Sequence, residues 1–97
     1  MRFQLIIQPE AEETIVELKR SNSKKLQKVL KTLALMETNL RHPSLNTHKY
    51  NGIEGENGEE IFESYIENKT PAAFRIFWHY GIGQGIITIV AMGATLT

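Results

Sequence analysis

Arg75 is a permanent cation in a stretch that is otherwise apolar and aromatic, Phe74-Arg75-Ile76-Phe77-Trp78-His79-Tyr80. A guanidinium keeps its charge, presents a planar fork of donors that matches an anion, and is too costly to bury alone. Arg75 is therefore expected to line a cleft, an interface or a sheet surface that water or an anion can reach. Side chains alternate along a strand, so Phe77 and His79 share its side. Phe74, Ile76, Trp78 and Tyr80 then form an apolar face predicted to be core. His79 can give or take a proton near neutral pH, or can simply be a hydrogen-bonded strand residue. Glu63, in the strand predicted before this one, becomes a base if desolvated; it is also the carboxylate expected to pair with Arg75.

Two further groups of basic residues have a functional and a plain reading. Arg41, His42, His48 and Lys49 cluster in a loop that either tracks a nucleic-acid backbone or is ordinary surface. Lys24, Lys28 and Lys31, with Lys25 beside them, fall on one side of a predicted helix. They are either a solvated face or a contact for nucleic acid or an acidic partner. Other chemistry is poorly served. There is no cysteine, and three histidines without close spacing do not make a metal site. Gly81-x-Gly83-x-Gly85 joins two predicted strands, where a dinucleotide fingerprint would need a following helix. No cofactor is expected.

The elements that must position these residues follow from periodicity. Arg2 to Ile7 alternate as a strand that Pro9 ends. A helix from about Glu10 to Arg20 has acids in its first turn, bases in its last, and an apolar stripe of Ala11, Ile15 and Leu18. Ser21-Asn22-Ser23 is a turn with an N-cap. A second helix, Lys24 to about Leu40, places Leu26, Val29, Leu30, Leu33, Met36 and Leu40 on its buried stripe. Strands are expected at 48–51, 61–66, 74–80 and 86–92, with a turn around Gly52, Gly55 and Gly58 and another at Asn68-Lys69-Thr70-Pro71. The order predicts an α+β fold: an N-terminal strand, an antiparallel helix hairpin, then a mainly antiparallel sheet with the hairpin on one face.

Ninety-seven residues fit one domain spanning 1–97. The N-terminal apolar run is too short for a signal peptide or membrane span, which predicts a soluble, cytoplasmic protein. Net charge is zero but unevenly spread: nine Lys/Arg and five Glu lie in residues 1–50, two and six in 51–97.

The element order, together with Lys49-Tyr50, Ile61-Phe62-Glu63, Ala73-Phe74-Arg75-Ile76-Phe77-Trp78 and Ile87-Thr88-Ile89-Val90-Ala91-Met92, resembles the RelE/ParE superfamily of bacterial type II toxins. The resemblance implies a small toxin silenced by a cognate antitoxin. It also implies either ribosome-dependent mRNA cleavage or inhibition of DNA gyrase; an interaction module that has lost toxicity is a third outcome. On the ribonuclease branch Arg75 falls on the arginine that contacts the scissile phosphate. Glu63 and Tyr65 fall on a strand that supplies catalytic groups, and Lys49 falls near the basic residues before the hairpin. In that setting Arg75, His79, Glu63 and Tyr65 are the candidate catalytic residues. Lys49, His48, Arg41, Lys24, Lys28 and Lys31 are the candidate RNA contacts. The sequence departs from the pattern after the last strand, where Gly93-Ala94-Thr95-Leu96-Thr97 has no ionisable side chain, and in its neutral net charge.

Overall fold

A computed structural model describes residues 2–68 and 72–95. Strand β1 (Gln4–Ile7) leads into helices α1 (Pro9–Ser21) and α2 (Ser23–Thr38). A 3-10 turn (Pro43–Leu45) then precedes β2 (His48–Glu54), β3 (Glu60–Tyr65), β4 (Arg75–Tyr80) and β5 (Ile86–Gly93). The five strands form one sheet in the order β1-β5-β4-β3-β2. Neighbours are antiparallel except β1, which runs parallel to β5 at one edge. The α+β expectation holds, with this one parallel pair added.

Local chemistry explains the elements. Pro9 opens α1, where its missing N–H is not needed, and Glu10 and Glu12 occupy the first turn. A single residue, Asn22, ends α1 and begins α2, and its side-chain oxygen accepts the Lys25 amide at 3.1 Å. The helix pair packs on one face of the sheet. Ala11, Leu18, Val29, Leu33 and Met36 meet Ile76, Trp78, Ile87, Ile89 and Met92 there. Burying such side chains is the main favourable term in a domain of this size. Trp78 is 1% exposed, its ring stacked on Phe62 and its indole N–H donated to Ser64 Oγ at 2.9 Å. That hydroxyl also meets Thr47 Oγ1 at 2.7 Å.

The structure alters three details. Tyr80, at the end of the expected apolar face, is 53% exposed. Leu30 leaves the α2 stripe and is half exposed, because the stripe runs through Val29, Leu33 and Met36. The second strand continues past Asn51 to Glu54 through a register shift, so only the stretch from Gly55 forms the turn. In β5 the pairing Phe77↔Ala91 is followed by Trp78↔Ile89, which leaves Val90 as a bulge. The bulge reverses the alternation: Ile87 and Ile89 face the helices, and so does Met92. The expected turn at Asn68-Lys69-Thr70-Pro71 lies mostly outside the described residues.

Candidate functional site

The face of the sheet opposite the helices is open, and its side chains come from alternate positions of β2, β3 and β4. Register places His48 opposite Glu63, Glu63 opposite Phe77, and Tyr65 opposite Arg75. Directly paired residues in antiparallel strands share a face. His48, Glu63, Tyr65 and Arg75 therefore meet at one end of the open face. The Arg75 guanidinium carbon lies 4.3 Å from the centre of the Tyr65 ring, a cation–π contact, and His48 meets the other side of this group edge-on to Tyr65 at 5.7 Å.

Glu63 is buried, and one of its oxygens is bonded to His48 Nε2. His48 Nδ1 lies 2.9 Å from the Asn46 carbonyl. A carbonyl only accepts, so Nδ1 is the donor of that bond. Asn46 reaches this position because it adopts a left-handed conformation, φ 46°, that asparagine tolerates at the end of the 3-10 turn. The expected Arg75–Glu63 ion pair is not what the structure contains: histidine takes the carboxylate and tyrosine takes the guanidinium. Among the described residues two buried side-chain atoms lack a hydrogen-bond partner, Glu63 Oε2 and Arg75 Nε. Both belong to this cluster. Native interiors satisfy nearly all such atoms, so a pair of exceptions on one small patch makes this patch the candidate site.

The other candidates lie elsewhere. His79 shares the open face but is four residues along β4 from Arg75, about 13 Å at the usual rise. It is 7% exposed, and its Nδ1 donates to the Tyr80 carbonyl at 2.8 Å. Phe77, fully buried beneath Tyr50 and beside Ile61 and Ala91, separates the two ends. Lys49 pairs with Phe62 in register, which puts it on the helix side of the sheet, 3.4 Å from Glu60. Arg41 is exposed beside a cleft lined by Leu40, His42, Trp78 and Tyr80, also on the helix side. Lys28, with Lys25, is held by Glu67 at 3.4 and 3.5 Å. Lys24 and Lys31 are exposed, with no carboxylate within 4 Å among the described residues.

Of the expected site, the sheet therefore brings together Arg75, Glu63 and Tyr65, adds His48 from the expected RNA contacts, and holds His79, Lys49 and Arg41 apart. Sequence reasoning did not find Asn46, nor Glu59, whose carboxylate faces His79 Nε2 at 3.9 Å. The only signals were an asparagine two residues before a histidine, and a glutamate in a glycine-spaced turn. Among the described residues no group of three His, Cys, Asp or Glu side chains is placed to hold a metal ion. No described helix is long and apolar enough to cross a membrane.

Solved structures share this fold. A YoeB/ParE toxin from Agrobacterium tumefaciens matches 97% of this chain and 100% of its own, with a TM-score of 0.73 at 6% identity. YoeB from a dimer structure of the Staphylococcus aureus protein matches 99% of this chain and 100% of its own, at 0.66 and 14%. An archaeal RelE–RelB complex from Pyrococcus horikoshii OT3 matches 96% of this chain and 94% of its own, at 0.66 and 11%. Neither a protein-family model nor a curated protein sequence matches the chain. The chain has the fold of the RelE/ParE toxin superfamily.

Proposed function

We propose that this chain is the toxin of a type II toxin–antitoxin pair, and that it is a ribosome-dependent mRNA endoribonuclease or a weakened relative of one. The observation that carries this reading is the cluster at the Arg75 end of the open face, where a guanidinium and a carboxylate each have a buried atom without a partner. The likeness to solved toxins supports the fold on which the reading depends, and the YoeB–YefM and RelE–RelB complexes among them make a cognate antitoxin the expected partner.

Cleavage of RNA by its own 2′-hydroxyl needs a base, a cation for the phosphate and an acid for the leaving oxygen. Arg75, supported from below by Tyr65, stabilises charge developing on the phosphate oxygens. Glu63 takes the 2′-hydroxyl proton, and the leaving 5′-oxygen takes its proton from solvent, to which Glu63 later gives up its own. His48, whose two ring nitrogens are engaged by the Asn46 carbonyl and by Glu63, holds that carboxylate in place. Glu63 Oε2 and Arg75 Nε are buried. Free RNA meets a closed site, and alignment by the ribosome supplies the missing work of opening and orientation. His79 has no part in this scheme because Phe77 and about 13 Å of strand separate it from the phosphate site.

A second reading, a non-enzymatic inhibitor of DNA gyrase or an interaction module, is favoured by Ala94-Thr95-Leu96-Thr97, which places no ionisable side chain directly after β5. The test is expression of wild-type and Arg75→Ala proteins without the antitoxin, following mRNA cleavage and DNA supercoiling together. Cleavage that disappears in a folded Arg75→Ala protein supports the ribonuclease. Supercoiling changes without cleavage support gyrase inhibition, and neither effect from the wild type leaves the interaction module.

A further inference from the structure

We propose that Asn51 is a self-modification site: its side-chain amide closes on the Gly52 backbone nitrogen, loses ammonia, and reopens with water as aspartate or isoaspartate. This goes beyond the toxin reading and does not depend on any reaction at the Arg75 end. The chain has two Asn-Gly steps, Asn51-Gly52 and Asn57-Gly58, and all four residues are exposed. Glycine after asparagine suits this ring closure, because it has no Cβ to hinder the approach of its nitrogen to the amide carbon. The fold treats the two steps differently.

The Asn57 step is tied down. The Asn57 N–H is donated to Glu59 Oε1 at 2.9 Å, and that bond is the main reason the Glu59 carboxyl lies below the ordinary carboxylate range. A charged carboxylate is the stronger acceptor, so the turn is held firmly. The nucleophile is held as well, since the Gly58 N–H is donated to the Gly55 carbonyl at 3.0 Å. Ring closure there has to break both bonds.

The Asn51 step is loose. Strand β2 pairs with β3 as far as Tyr50↔Ile61 and resumes at Glu54↔Glu60, so Asn51, Gly52 and Ile53 bulge from the ladder with no residue opposite them. β2 is also the outer strand of the sheet, and no strand lies on its other side. Among the described residues no hydrogen bond holds the Asn51 side chain. Gly52 has φ 97°, and a Cβ built on it meets nothing within 4 Å. Closing a five-membered ring bends the chain out of the extended conformation that a paired strand enforces; here the bend breaks no ladder pair. A cavity of about 460 Å³ borders the bulge and admits the water that reopens the ring.

The reaction balances with water as the only co-reactant. Solvent base takes the Gly52 amide proton, the nitrogen forms a bond to Asn51 Cγ, and the Cγ–Nδ2 bond breaks as the departing nitrogen gains a proton from solvent and leaves as ammonia. Water then adds to one of the two ring carbonyls. Breaking the new bond to Cγ gives aspartate. Breaking the original peptide bond gives isoaspartate, in which the main chain runs through the former side chain and is one carbon longer. Either product puts a carboxylate on a chain whose formal charge is zero, in the strand that begins with His48.

The chain contains no aspartate, so the product is chemically distinct from every residue already present. The experiment is a time course of the full folded chain at mildly alkaline pH, and of the same chain in urea. Samples are followed by ion-exchange chromatography, by labelling with an isoaspartyl methyltransferase, and by peptide mapping in a mass spectrometer. In the folded chain a species with one added negative charge, in which an NH is exchanged for O, should accumulate and map to 51–52 before any change appears at 57–58. In urea, where the turn is lost, the lead of 51–52 over 57–58 should disappear. Asn51→Gln, which would need a larger ring, should lose the early species. A folded chain that reacts first at 57–58, or that stays unmodified at 51–52 while the urea sample reacts, overturns the proposal. An early species that persists in Asn51→Gln overturns it too. The mapping uses the unaltered protein, so it decides the matter even if the variant misfolds.

Discussion

At the Arg75 end of the open face a guanidinium is stacked on an aromatic ring, and the unmatched atoms are closed off from solvent. At the His79 end of the same strand a buried imidazole faces the Glu59 carboxylate in the wall of an open, acid-rimmed cavity. Both residues sit at odd positions of β4 with similar backbone geometry, so the strand itself does not distinguish them. Their cross-strand neighbours do: Arg75 lies opposite Tyr65 and Gly93, while His79 lies opposite Thr88 with the Glu59 turn nearby. One face thereby carries two fields of opposite sign, with Phe77 as an apolar divider. A polyanion is drawn to the first end and repelled from the second.

The broadest way to break this comparison is to remove the floor that both ends share. Trp78→Ala should destabilise the fold by ~3–5 kcal/mol, as read by urea unfolding, and abolish activity with it. A protein as stable as the parent would mean that Trp78 does not anchor the sheet. Arg75→Ala should act at one end alone: mRNA cleavage falls by ~10²–10³ while the His79 ring resonances stay where they are in NMR spectra. A shift of the His79 resonances in that variant would show the two ends to be coupled.

Smaller effects sharpen the contrast. Ser64→Ala leaves the Trp78 indole N–H buried without its acceptor, and should cost ~1–3 kcal/mol in urea melts with both ends still functional. Glu67 braces only the Arg75 end, accepting the Phe74 amide at 3.1 Å and pairing with Lys28 and Lys25. Burial pushes its carboxyl up, but the Phe74 amide and the two lysines outweigh that and lower it overall. A depressed folded pKa gives stability that is present above the unfolded carboxylate range and lost as pH falls through the folded value. Wild type should therefore exceed Glu67→Gln by up to about 1 kcal/mol at neutral pH, with the gap closing in acid below about pH 4. A gap that widens in acid would reverse the assigned sign.

Much of the fold was legible because its signals are local. The period of α2, Pro9 at the start of α1, Asn22 between the helices and the alternation in β4 each depend on residues a few positions apart. Leu30 and Tyr80 were misplaced because a hydrophobic stripe shows which face is apolar but not where the opposing surface ends. The bulge at Val90 was invisible because it is a property of pairing between β4 and β5, and every residue from Ile86 to Met92 is compatible with a strand either way.

The site divides along the same line. The sequence by itself determined that Arg75 would be a cation on a non-core face, that Glu63 and Tyr65 would share one face of their strand, and that the apolar side of β4 would be covered by helices. These follow from alternation and from the cost of burying an unpaired charge. Only the tertiary structure decided that His48 takes Glu63, that Tyr65 takes Arg75, and that His79 faces Glu59 across a separate cavity. Those partners come from strand register and from the path of the 53–59 turn, which bring together residues 10 to 20 positions apart. Nothing in a residue's own type specifies its partner among several glutamates; the hydrogen-bonded ladder does.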